Sequence, residues 1–141
     1  MSRLLGRANV KRRNAEIDYQ HMGEDDCNVD DCCYNLQQCI ELTLKYIVQI
    51  NGERYVENHD LRAQLNKLDS MGVSGPEEER IRHMASTLNS WEAESRYRES
   101  FFATLQDVDE AREIADALIQ YASGLVEETD SGMTAFPEDG V

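Results

Sequence analysis

Between residues 28 and 51 the apolar positions recur every three or four residues: Val29, Cys32, Cys33, Leu36, Cys39, Ile40, Thr43, Leu44, Ile47 and Ile50. That period is a helix face, and its width exceeds what one neighbouring helix can cover. A helix of this span is about 35 Å long. It has to lie at the centre of a bundle, wrapped by other helices. Asn28 is placed to cap its start, and Asp30 and Asp31 suit the positive end of the helix dipole. Asn51-Gly52 is a stop signal.

The other segments agree with an all-α, up-and-down bundle of about five helices. A first helix is expected from about residue 3 to 23. A third starts near Asn58, carries the stripe Leu61, Leu65, Leu68, and ends at Met71-Gly72. Ser74-Gly75-Pro76 opens a fourth, with Pro76 in the first turn and Glu77, Glu78 and Glu79 behind it. Its inner face is Ile81, Met84, Ala85 and Leu88, and Trp91 is read as a core anchor. Residues 92–106 fit helix or loop. The last helix is read as capped by Asp107, with Glu110 reaching back, and its stripe runs Val108, Ala111, Ala115, Leu118, Ala122, Leu125. Alternating strand patterns are absent. Residues 1–128 form one domain in this reading, and 129–141 a loose tail.

Charge narrows the function classes. The chain of 141 residues has a net charge of −14, which excludes a general nucleic-acid binder. The charge is uneven: residues 1–13 carry +5, so the remainder carries −19. Arg3, Arg7 and Lys11 would share one helix face. That face either pairs with the acidic body or holds a phosphate. No apolar run reaches the ~20 residues of a membrane span, and no secretory leader is read. Cys27, Cys32, Cys33 and Cys39 lie too close together for a disulfide framework and lack a zinc-type Cys-x-x-Cys pair. They read as small buried hydrophobes in a reducing, cytoplasmic setting. No metal or cofactor is expected.

Three pieces in order carry a resemblance. They are Gln37-Gln38-Cys-Ile-Glu41-Leu-Thr-Leu44-Lys45 in the long helix, His59-Asp60-Leu61 with Leu65, and Arg96-Tyr97 before an acidic-capped last helix. Together they resemble the HEPN domain, the "higher eukaryotes and prokaryotes nucleotide-binding" family, over most of residues 8–127. Family members often have Pro after the Arg-Tyr pair, where this chain has Arg98. The resemblance implies a homodimer, and a pairing with a minimal nucleotidyltransferase in a toxin–antitoxin type system. Some branches are metal-independent RNases with an Arg-x(4–6)-His motif, and others bind nucleotides or serve as partners.

Arg54-Tyr-Val-Glu-Asn-His59 fits that motif. A histidine can exchange a proton with a ribose hydroxyl near neutral pH, and an arginine can grip the phosphate. With eleven arginines and three histidines, however, the spacing also arises by chance. Both residues have structural readings, His59 at a helix start and Arg54 pairing with a nearby acid. In Arg96-Tyr97-Arg98 the ring could stack on a base while the arginines hold phosphate, or Tyr97 could pack into the bundle. Arg54, His59 and Arg96 are expected to share a cleft only if the fourth helix is oblique. His83 is expected at the surface. Val48, Ile119 and Val126 lie off the main stripes and are read as part of a dimer surface. The favoured function is a nucleotide-binding or interaction module with a nucleotidyltransferase partner. The alternative is an RNase toxin using Arg54 and His59.

Overall fold

A computed structural model describes residues 3–97 and 103–133, without the side chains of 96, 97 and 126–133. It contains five helices: α1 (Arg3–Gln20), α2 (Asp26–Ile50), α3 (Leu61–Ser70), α4 (Glu78–Tyr97) and α5 (Leu105–Met133). Among the described residues there is no strand.

α2 is the axis of the bundle, and every residue from Leu36 to Val48 is buried. α1 packs antiparallel on it. The Cys32 thiol meets the Ala15 carbonyl oxygen and the Asn35 amide donates to Asp18. α5 crosses α1 in the opposite sense through Arg12–Asp116, Glu16–Arg112 and Tyr19–Asp109. α3 and α4 form an antiparallel pair, tied by Arg62 to Ser86 and Arg82 to Asp69. Trp91 is buried as expected, and His83 is exposed.

The helix starts differ from the sequence reading. Asp25, not Asn28, caps α2: its carboxylate accepts from the Cys27 N–H at 2.8 Å. Asn28 instead donates to the His21 carbonyl and fastens the α1–α2 turn. Thr104, not Asp107, caps α5, its hydroxyl accepting from the Asp107 N–H at 3.1 Å. Pro76 falls before α4, because Glu77 adopts a left-handed φ of 61° and the helix begins at Glu78. The ambiguous stretch is helical as far as Tyr97. α5 continues through residues 129–133, which the sequence reading placed in the tail.

Val48 is fully buried inside the protomer, so it forms no dimer surface. Ile119 is partly buried against the core, and Val126 lies among the side chains outside the description. Cys32, Cys33 and Cys39 are buried and Cys27 is exposed, all unpaired. Burial pushes the Cys32 and Cys39 thiols up to about 12 and raises Cys33 too, so these three are unreactive packing groups.

The α1–α5 seam is pH-sensitive. Burial disfavours the charged form of Glu16, but hydrogen bonds and charge from Arg112 and Arg12 prevail and hold its carboxyl below the ordinary value near 4.5. Its contribution is complete above that value and is lost as pH falls through the lower folded one. Arg112→Ala should therefore flatten the acid side of a plot of Tm against pH below about 5. Because the pair is partly exposed, the effect is about 1 kcal/mol or less. Equal slopes for wild type and variant would refute this.

Candidate functional site

α2 carries polar side chains inside its buried stretch. Gln37, Glu41 and Lys45 are four apart and so share one face, with Gln38 beside them. Glu41 is only 2% exposed. A buried carboxylate needs partners, and this one is fully occupied. Its Oε2 lies 2.8 Å from Lys45 Nζ, and its Oε1 accepts from Gln37 Nε2 at 2.9 Å. Gln38 in turn donates to Gln37 at 2.8 Å. The Tyr55 ring lies 5.1 Å from Lys45 Nζ, a cation–π contact that covers the ammonium.

His59 completes the group. Its Nδ1 lies 3.1 Å and 3.0 Å from the two Glu41 oxygens. A carboxylate only accepts, so the Nδ1 proton belongs in this bond and Nε2 carries the lone pair of the neutral ring. The side chain is 60% exposed, so one edge is fixed and the other is reachable.

Three helices hold the loop that presents this ring. α2 supplies Glu41. From α3, Gln64 donates to the Val56 carbonyl at 2.6 Å and accepts from its N–H at 3.2 Å. From α4, Asn89 donates to Asp60 at 2.9 Å and accepts from the Leu61 N–H at 3.1 Å. Asp60 caps α3 through the Arg62 N–H. The loop folds back along α2, and α3 returns to the C-terminal end of α2, where Lys67 pairs with Glu53.

Arg54 is on the same loop but in different surroundings. It lines an open hollow of about 400 Å³ with Gln49, Gly52, Glu53, Tyr55 and Glu57, and His59 is not in that lining. Two carboxylates line the hollow with the one guanidinium, and the negative end of α2 adjoins it, but Lys67 offsets one of them by pairing with Glu53. Tyr55 links the two places by lining the hollow and covering Lys45.

Arg96 and Tyr97 occupy the last turn of α4 rather than a loop. At ~1.5 Å per residue, the backbone of Arg96 lies about 10 Å along the axis from Asn89, which grips the His59 loop. The side chains of Arg96 and Tyr97, and the whole of Arg98, are outside the described residues. On α1, Arg12 pairs with Asp116 and Glu16, Lys11 lies over Tyr34, and Arg3 and Arg7 are exposed. Among the described residues no group of His, Cys, Asp and Glu could hold a metal ion, and no helix is long and apolar enough to cross a membrane.

His59 stands out in the sequence, whereas Glu41, which holds it, and Lys45 and Gln37, which hold Glu41, have no predicted role there. Their signal was present: charged residues one helical turn apart inside the most apolar stretch of the chain.

A family profile for the HEPN domain matches residues 1–126. The chain belongs to the HEPN domain family, and its five-helix bundle is that family's helical architecture. No curated protein and no solved structure matches the chain.

Proposed function

We propose that this HEPN domain is an interaction module that binds a nucleotide-bearing partner, a minimal nucleotidyltransferase, through the 53–60 loop, and that it works as a homodimer in a toxin–antitoxin type system. The observation that carries the reading is the loop's threefold anchoring, which leaves His59 and Arg54 exposed. A recognition loop held this way loses little conformational entropy on binding. Polyphosphate steering by the whole surface is unfavourable at a net charge of −14, so recognition must be local. The test is calorimetry with the nucleotidyltransferase and, separately, with nucleoside mono- and triphosphates. His59→Ala should weaken the bound species by about tenfold or more, with Arg54→Ala smaller. Full affinity in both variants rejects the loop as the contact.

The RNase alternative has one observation in its favour. Glu41 fixes the tautomer of an exposed His59, as a proton-transferring histidine requires. Arg54 would supply charge to the transition state, but it lines a hollow without His59. Incubation of RNA with the pure protein and a chelator decides it. Cleavage abolished by His59→Ala and by Arg54→Ala establishes the nuclease, and intact RNA with wild type excludes it.

A further inference from the structure

Three large apolar side chains stand exposed among the described residues: Val10 at 41%, Ile17 at 53% and Leu105 at 56%. Two of them are on α1. Arg3, Gly6, Val10, Arg13, Ile17 and Gln20 follow one another in steps of three and four, so they form a single stripe along that helix. Its inner side is occupied by α2 and α5 through Ala15, Arg12 and Glu16, and the stripe faces away from them. Arg3, Arg7 and Arg13 are exposed and take no part in the ion pairs that join α1 to α5. The stripe is therefore apolar at its centre and cationic along its length.

The third exposed apolar side chain has the opposite setting. Leu105 lines a hollow of about 500 Å³ with Arg80, Gln106, Asp109, Glu110 and Glu113. Of its three carboxylates, Asp109 is paired with Arg112, and Glu110 and Glu113 share Arg80, which also pairs with Glu77. Arg80 already bridges Glu110 at 3.2 Å and Glu113 at 3.0 Å, so the hollow keeps an excess of negative charge. The Glu113 side chain is 70% exposed. An aliphatic side chain next to a guanidinium is what such a hollow fits, and α1 offers Arg13 between Val10 and Ile17.

The two surfaces adjoin on one protomer. Tyr19 bonds Asp109 and Glu16 bonds Arg112, so the end of α1 lies against the start of α5. A two-fold arrangement in which the stripe of each copy meets the hollow of the other would use each surface once. Direct contact of α1 with α1 would instead oppose two basic segments. Together the two surfaces offer on the order of 500 Å² per protomer, about 1,000 Å² in all, the lower end of stable interfaces.

We infer that the occupant of this surface is a second copy of the chain, joined by a reciprocal exchange in which Arg13, Val10 and Ile17 of one protomer dock against Leu105, Glu110 and Glu113 of its partner. The inference rests on the homodimer named in the proposed function and supplies its interface. Light scattering and sedimentation on the full chain test it, with circular dichroism confirming that each variant is folded. Wild type should give twice the 16.1 kDa chain mass. Arg13→Glu and Glu113→Arg should each weaken the dimer by at least about tenfold, and the double variant should restore it. Leu105→Lys, an exposed change that leaves the α1 charges intact, should also weaken it. A wild-type monomer overturns both the homodimer and this interface. A dimer indifferent to all four variants overturns the interface and leaves the homodimer standing. Weakening by the single charge changes without rescue by the double overturns the Arg13–Glu113 pairing on which the docking is built.

Discussion

Leu36→Asp and Leu44→Asp will each leave the chain largely unfolded at room temperature. Both leucines are on the innermost stretch of α2, at 0% and 1% exposure. Truncating a buried leucine costs about 2–5 kcal/mol in lost transfer energy and cavity formation. An aspartate adds the cost of a carboxylate with no partner in the core. The total is about 5 kcal/mol or more, comparable to the lower end of the whole stability of an ordinary domain at about 5–15 kcal/mol. Urea melts followed by far-ultraviolet dichroism measure it. A variant whose urea midpoint stays close to that of wild type would mean that α2 is not the axis of the bundle.

The second large effect belongs to the Glu41 group. Glu41→Ala leaves Lys45, only 8% exposed, without a counter-ion, and frees His59 from its anchor. Breaking a buried pair by removing one partner costs about 3–5 kcal/mol. Replacing both, as in Glu41→Leu with Lys45→Met, removes the stranded charge and should recover most of that loss. The double variant would still lack the carboxylate that holds His59, so its stability should return while binding through the 53–60 loop does not. If the double variant is no more stable than Glu41→Ala, the cost does not come from an uncompensated ammonium.

Much of the fold could be read from periodicity because the strongest signals were spread over many residues. The α2 stripe is carried by ten positions, so a single misread one does not alter it. The errors sit where one residue decides the outcome. Asn28 and Asp25 are both good caps, and only the fold of the preceding turn, where Asn28 is drawn to the His21 carbonyl, selects between them. Thr104 and Asp107 pose the same choice at α5, and Thr104 takes the cap because the helix starts at Leu105. The left-handed conformation of Glu77 had no sequence signal, since glycine or asparagine is the usual occupant of that region. Val48 was misplaced for a more general reason. A helix wrapped on every side has no outer stripe, so positions off the main face are buried as well.

The site was legible only in part. His59 drew notice as a histidine with an arginine at a suggestive spacing. Its actual partner, Glu41, is eighteen residues away in sequence and on another element. Spacing along a chain cannot report that contact, because it depends on the loop doubling back along α2. Arg54 shows the reverse: near His59 in sequence, it lines a hollow apart from it.

The burial of α2 from Leu36 to Val48 also determines what its backbone amides can report. Fraying of an end or opening of one neighbouring helix should not expose them. Their exchange is expected to need several helices to open together, so its rate should approach the one set by the global unfolding free energy. A molecule that binds the folded chain anywhere slows these amides by mass action, in proportion to its concentration over its Kd. Thirteen positions in the middle of one helix thus form a built-in gauge of occupancy. It works for any nucleotide, protein partner or second copy, without advance knowledge of where that molecule binds.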